Sequence, residues 1–376
     1  MCLISKRLGL APGGPEDDDG VPAFLAKAMS APHAKSVSNA LELLVNLGAM
    51  YPETNQLTAL GQCLSVLSLE PRVGKMVIWS YVLGCARVAS NMAVAMSFKS
   101  PFVLPLESSR RAAQQSLVAL SENSESDQIT IHKVLESIDK FRSSPGQFHD
   151  FCRNNFISSN TIQMMADSRV NLSKELASLG FPNPSLRNQY HNRHDSDDAL
   201  WHSAIAAGLY PNAATRKLGD VNFSTMTNQK LKIHPSSVNA AKGQRLSAKC
   251  QVSKDEIEFV CYGEMLKGEQ LSTASQTTRL QSPLPILLLC GTSLRVQPHP
   301  TIHGEAILNL DDWVIFKCDA KLASHIVVLR KRLHSAFWST IKEPSHVPKL
   351  SEEESNAVEI LGTILRSAQI ITSCPI

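Results

Sequence analysis

The apolar pattern of this chain changes period once, at Pro211, and that change limits the fold to two kinds of body in series. Before it, from Thr58 to about Leu179, the pattern is helical, broken at Pro71, Lys99-Ser-Pro101, Pro105, the polar run Ser121 to Asp127, and Ser143-Ser-Pro-Gly146. Helical segments of this length joined by short polar breaks build a bundle. Ala199 to Leu209 is one more helix, ending at Gly208-Leu-Tyr-Pro211. After it come short β-rich pieces divided by turn residues: Ala214–Lys217, Asn222–Met226, Gln229–Ile233, Glu258–Tyr262, Pro285–Cys290, Leu294–Gln297 and Trp313–Lys317. Such a succession makes a small barrel. Helices at Leu322–Ser339 and Ser351–Ala368 close the chain, the second opened by the capping box Ser351-Glu-Glu-Glu354.

The N-terminal part reads as helix, helix, hairpin. Met1 to Leu10 resembles a helix end with no capping residue, and Ala11 to Gly20 is a Gly/Pro/Asp loop. A short helix is expected at Phe24–Met29. An amphipathic one follows at Ser36–Leu47, capped by Ser36 or Ser38 and stopped by Gly48. Met50-Tyr51, a turn at Pro52–Asn55 and Gln56-Leu57-Thr58 form the hairpin. Gly180 to Asp198, rich in Pro, Asn, Arg, His and Asp, reads as a linker.

Composition excludes several classes. With 376 residues, 43% hydrophobic and 19% charged, the chain has material for two or three globular domains. Its net charge of +3 permits a polyanionic partner without arguing for one. Nine cysteines contain no C-x-x-C pair, so no zinc site is expected, and reduced thiols in a cytoplasmic or nuclear protein are. The apolar run Met76–Phe98 carries Arg87 mid-way, which would cost about 2.5–3.5 kcal/mol in a bilayer. It reads as two buried helices meeting near Gly84 to Ala89, and no membrane partner is expected.

Six words in a fixed order span nearly the whole chain. They are Phe24-Leu-Ala-Lys-Ala-Met-Ser-Ala-Pro32 with Ala40-Leu-Glu-Leu-Leu44 and Leu47-Gly-Ala49; Leu57-Thr-Ala-Leu-Gly61 through Pro71-Arg-Val-Gly-Lys-Met76; Ser97-Phe-Lys-Ser-Pro-Phe102; Ile205-Ala-Ala-Gly-Leu-Tyr-Pro-Asn212; Ile233-His-Pro-Ser-Ser-Val-Asn239; and Leu310-Asp-Asp-Trp313. Together they resemble the accessory region that follows the motor of DEAH/DExH-box RNA helicases. The resemblance implies a winged helix at 1–60, a helicase-associated (ratchet-like) helical bundle at 61–180, a linker at 181–198, an OB-fold-like barrel with its leading helix at 199–345, and a C-terminal helix at 346–376. Two departures concern the barrel surface: a long polar stretch from Ala240 to Asp255, and Ala274-Ser-Gln276 where the family has an Arg-Asp pair.

The chain alone is expected to hydrolyse no ATP. Gly74-Lys75-Met76 lacks the upstream glycine and the following Ser/Thr of a phosphate loop, and Asp255-Glu-Ile-Glu258 lacks the final His and the apolar strand of a metal-binding box. No catalytic triad, cofactor site or metal site is expected; ATP and Mg belong to the complete family enzyme. Pro71 and Gly74 are expected to set the angle between winged helix and bundle as a structural joint. Arg72 and Lys75 should be solvated or paired, and Arg330-Lys-Arg332, on a helix, should lie on a solvent face or add to a phosphate-facing patch.

The expected RNA contacts are His234, Ser236, Ser237 and Asn239, since His stacks on bases while Ser and Asn bond phosphates and base edges. Lys99, at a helix end, is a further phosphate contact. By resemblance these residues face a single-stranded RNA channel. The implied partners are single-stranded or structured RNA, motor domains in cis if the chain is a fragment, and a glycine-rich activator protein. A free-standing, non-enzymatic module that binds RNA or a helicase partner is the alternative.

Overall fold

The computed structural model describes the chain except residues 15–16, 104, 106, 142–143, 188, 218–219, 241–256, 269–270, 346–349 and 368–376. Cys250, Cys374 and the Asp255-Glu256 end of the acidic word therefore lie outside the described residues.

The N-terminal part holds α1 (Cys2–Arg7), α2 (Val21–Ala26) and α3 (Ala34–Asn46). Helix α2 starts at Val21 rather than Phe24 because Pro22 suits a helix's first turn. Helix α3 is capped by neither Ser36 nor Ser38: the His33 imidazole accepts from the Lys35 amide. At its far end Gly48, at φ +78°, makes a Schellman closure, with Gly48 N–H donating to Val45 O and Ala49 N–H to Leu44 O. The expected hairpin is a tight turn closed by the single bridge Met50↔Leu57.

Thr58 caps α4 (Ala59–Val66) by accepting from Gly61 N–H. Pro71 is the first residue of α5 (Pro71–Leu83). Gly74 was expected in a turn but is helical. A Cβ there would come within 2.6 Å of Leu64 Cδ2, so its role is to let α4 and α5 approach closely. Helix α5 meets α6 (Ala86–Met96) at Gly84, which has φ +76°, and both are buried along nearly their whole length. Arg87 survives that burial by pairing with Glu136 and Asp195. The bundle continues through α7 (Arg110–Ser121), α8 (Asp127–Phe141), α9 (Pro145–Asn154) and α10 (Ser159–Ser178).

The segment after α10 is a packed strap rather than a free tether. Tyr81 Oη donates to Pro182 O at 2.7 Å, His194 N–H to Gly84 O at 2.8 Å, and Arg87 N–H to Asn192 Oδ1 at 2.8 Å. It leads into α11 (Asp198–Leu209), which lies fully buried against α5.

The barrel is closed, in the order β1 (Ala213–Lys217), β2 (Phe223–Thr225), β3 (Lys230–Ile233), β5 (Ser272–Leu280), β4 (Ile257–Leu266), with β3 and β5 parallel. Strand β5 was not foreseen: its Ser, Thr and Gln residues carry no apolar alternation. Pro285–Cys290, expected as a strand, is instead helix α12 (Leu284–Leu289), an apolar run buried on every side, where period cannot tell strand from helix. Strands β6 (Leu294–Pro298), β7 (Glu305–Leu310) and β8 (Val314–Asp319) form a separate antiparallel sheet outside the barrel, and β7 was also missed.

Helix α13 (Ala320–Lys342) is capped by Asp319. Helix α14 (Glu352–Ser367) opens on the expected capping box: Glu354 N–H donates to Ser351 Oγ at 3.2 Å and Ser351 N–H to Glu354 Oε2 at 2.9 Å. One apolar core runs from Cys2 to Leu365, and a second small cluster fills the barrel.

Candidate nucleic-acid interface

The loop after β3 is where bundle and barrel are fastened together. Asp127, the first residue of α8, stands between them. Its Oδ1 accepts from Val238 N–H at 2.8 Å and its Oδ2 from Thr277 N–H at 2.7 Å. Burial pushes this carboxyl above the ordinary Asp range, opposed by the bonds from Val238, Thr277 and Ser237.

Two of the expected RNA contacts are consumed in this latch. Asn239, fully buried, donates to Glu125 O at 3.0 Å and to Thr277 O at 3.3 Å. Ser237 Oγ lies 2.7 Å from Thr277 Oγ1. Their side chains point inward and are engaged within the protein, since a polar word in a loop serves equally to fasten that loop. His234 and Ser236 are half-buried instead. His234 N–H donates to Ala274 O at 2.8 Å, fixing the loop to β5, and its Nδ1 accepts from Ser236 N–H at 3.2 Å with Ser236 Oγ 2.7 Å away.

Ser236 and Lys99 share one crevice. Lys99 lies exposed just past the end of α6, and both residues line a crevice of about 360 Å³ between bundle and barrel. Phe98 and Phe102 line its bundle side, Ser275 and Gln276 its barrel side, and Glu264 and Asp127 are also on its wall. Gln276, at φ +52°, bends β5 there. Its Nε2 donates to Met96 O at 3.3 Å, and its carbonyl accepts from Gln128 Nε2 at 2.6 Å. Ser275 and Gln276 were not expected as lining residues, yet they fall in the Ala274-Ser-Gln276 departure, which is the signal that marks this wall.

The remaining cations divide. Arg72 pairs with Glu70 and Arg332 with Glu353. Arg330 is not on a solvent face: it is half-buried and donates to Leu287 O at 2.6 Å and Gly291 O at 2.7 Å. Lys75 donates to Leu47 O at 3.2 Å. The seven described cysteines are free thiols. Among the described residues no three His, Cys, Asp or Glu side chains stand together as a metal site, and no helix is long and apolar enough to cross a membrane.

Family comparison agrees with this division of the chain. The helicase-associated domain (HA2), ratchet-like, matches residues 70–160, which run from the start of α5 into α10. The oligonucleotide/oligosaccharide-binding (OB)-fold matches residues 201–293, from α11 through the barrel and α12. The DExH-box ATP-dependent RNA helicase DExH1 of Arabidopsis thaliana is 30% identical over 98% of this chain, which covers 34% of that protein. The mouse ATP-dependent RNA helicase DHX29 is 28% identical over 98% of the chain and 25% of its own length. The bovine ATP-dependent DNA/RNA helicase DHX36 is 27% identical over 97% of the chain and 34% of its own length. The chain thus spans between a quarter and about a third of these relatives. With both family matches in order and relatives aligned along nearly its whole length, the chain is a C-terminal accessory region of the DExH-box helicase family, a helicase-associated bundle followed by an OB-fold.

Proposed function

We propose that this chain is the RNA-binding accessory region of a DExH-box ATP-dependent RNA helicase and forms one wall of its single-strand channel. ATP and Mg²⁺ would be bound by motor domains, with residues 1–60 acting as a winged helix against them. The observation that carries this reading is that Lys99 from the bundle and Ser236 from the barrel line one crevice, with His234 hydrogen-bonded behind Ser236. An exposed ammonium supplies a phosphate contact, and an imidazole beside hydroxyls supplies a face and donors for an unstacked base. The free thiols fit a reducing compartment, cytoplasm or nucleus.

The test is fluorescence anisotropy with a labelled single-stranded RNA across a salt series. Lys99→Ala should weaken binding and make the slope of log K against log salt shallower by about 0.7, one phosphate contact on a single strand. His234→Ala should weaken binding with little change of slope. Affinities and slopes equal to wild type in both variants would remove the crevice from the RNA path.

A further inference from the structure

A second, wider cleft lies elsewhere among the described residues. It encloses about 1270 Å³ between the C-terminal end of α3, α5, the β2–β3 turn, the β6–β8 sheet and α13. Its charges are unevenly matched. The carboxylate of Asp311 is already held by Tyr210 Oη at 2.6 Å and by the amides of Ser293 at 2.8 Å and Thr292 at 3.1 Å. Asp312 pairs with Arg295 at 3.0 Å. Glu42 stands on the outer wall, exposed.

Facing the cleft, Lys75 and Arg330 have only carbonyl oxygens as hydrogen-bond acceptors among the described residues: Leu47 O for Lys75, Leu287 O and Gly291 O for Arg330. These carbonyls sit at the C-terminal ends of α3 and α12. A helix end offers at most about half a negative charge, so two whole positive charges are offset only in part. An ammonium has three N–H donors and a guanidinium five, so most of these donors are uncommitted. Burial, with the neighbouring Arg330, holds Lys75 below the usual lysine range, opposed by Cys290, while the carboxylate nearest in effect to Arg330 is Asp311, already engaged by Tyr210, Ser293 and Thr292.

Two further polar atoms on the same wall lack partners. Trp79 is fully buried and its Nε1 has no acceptor; His334 Nε2 is likewise unbonded, while burial brings that imidazole's pKa down to about 4 and leaves it neutral. Lys331 stands exposed at the rim.

We propose that this cleft is a phosphate-binding site, in which Lys75 and Arg330 hold the oxyanion of a phosphate-bearing ligand and Trp79 Nε1–H completes the donor set. The chemistry suits either a free phosphate compound or the backbone of a nucleic acid. Charge-assisted donors converging from two helices are what such an anion requires.

Isothermal titration of the whole chain with inorganic pyrophosphate at low salt tests this. Saturable binding with one site per chain is expected, weakened at least tenfold by Lys75→Gln and several-fold by Lys331→Glu. The second variant is at an exposed position and leaves the fold untouched should Lys75→Gln fail to fold. Adding unlabelled single-stranded RNA then separates the sources: displacement of pyrophosphate assigns the site to a polynucleotide, and no displacement assigns it to a free phosphate compound. Lys174→Ala, exposed on α10 and lining neither cleft nor crevice, should leave pyrophosphate binding unchanged, and the crevice is read separately by RNA anisotropy. Absence of saturable heat, or equal affinity in wild type and both charge variants, overturns the site.

Discussion

Gly208 shows at the scale of one residue why a word in the sequence can be recognised and its reason missed. Gly208-Leu-Tyr-Pro211 is legible as a helix stop. Yet Gly208 is needed inside α11, where a Cβ would lie 2.3 Å from Met76 Cβ and 2.7 Å from its Cα. That clash is with backbone and cannot be relieved by a rotamer. Gly208→Ala should destabilise by about 3 kcal/mol or more, read as a lowered urea midpoint. Gly146→Ala, with nothing within 4 Å of the added carbon, is the control and should fall within about 0.5 kcal/mol of wild type. Gly74 teaches the same thing: its identity was visible, while its partner Leu64 was fixed only by packing. Among the candidate RNA contacts, Lys99 and Ser236 line one crevice, which their separation in sequence did not reveal. The inward engagement of Ser237 and Asn239 was not legible either, because their partners Glu125, Asp127 and Thr277 lie far off in sequence.

At the scale of elements, the join between α8 and the barrel hangs on one side chain. Asp127 closes two backbone donors, one in the loop after β3 and one in β5. Removing it strands both amides in a buried place, at about 1–3 kcal/mol each. Asp127→Ala should therefore cost about 2–6 kcal/mol in urea unfolding, with the barrel's transition preceding the bundle's. The helices of the bundle were legible because their apolar period is long and uninterrupted. The barrel was legible only in part. Strand β5 spends its face on polar bonds to Asp127 and Gln128 and so lacks the expected alternation. Strand β7 did alternate, as its burial pattern does, and that signal was available. Helix α12 could not be told from a strand while its surroundings were unknown.

The molecule as a whole carries several imidazoles inside it. His132 accepts from Asn91 Nδ2 at 3.1 Å and stands edge-on to Trp201, with burial, helped by Arg87, bringing its pKa down to about 3. His334 is brought down to about 4, and His202 is shifted the same way by burial. His132 and His334 stay neutral in the folded chain, whereas the unfolded chain takes up the proton as pH falls through 6.5. Their stability is therefore complete above pH 6.5 and lost as pH drops towards 4 and 3. The urea midpoint should fall over that window, and His132→Gln should make the fall shallower; an unchanged slope would show that His132 is not the group titrating.

The latch at Asp127 also bears on how the molecule meets a ligand. Because Val238, Asn239 and Thr277 are tied across it, the two walls of the Lys99–Ser236 crevice hold their spacing before anything enters. Such an opening is a gauge rather than a jaw: its width is set by the fold and does not depend on closing over what enters.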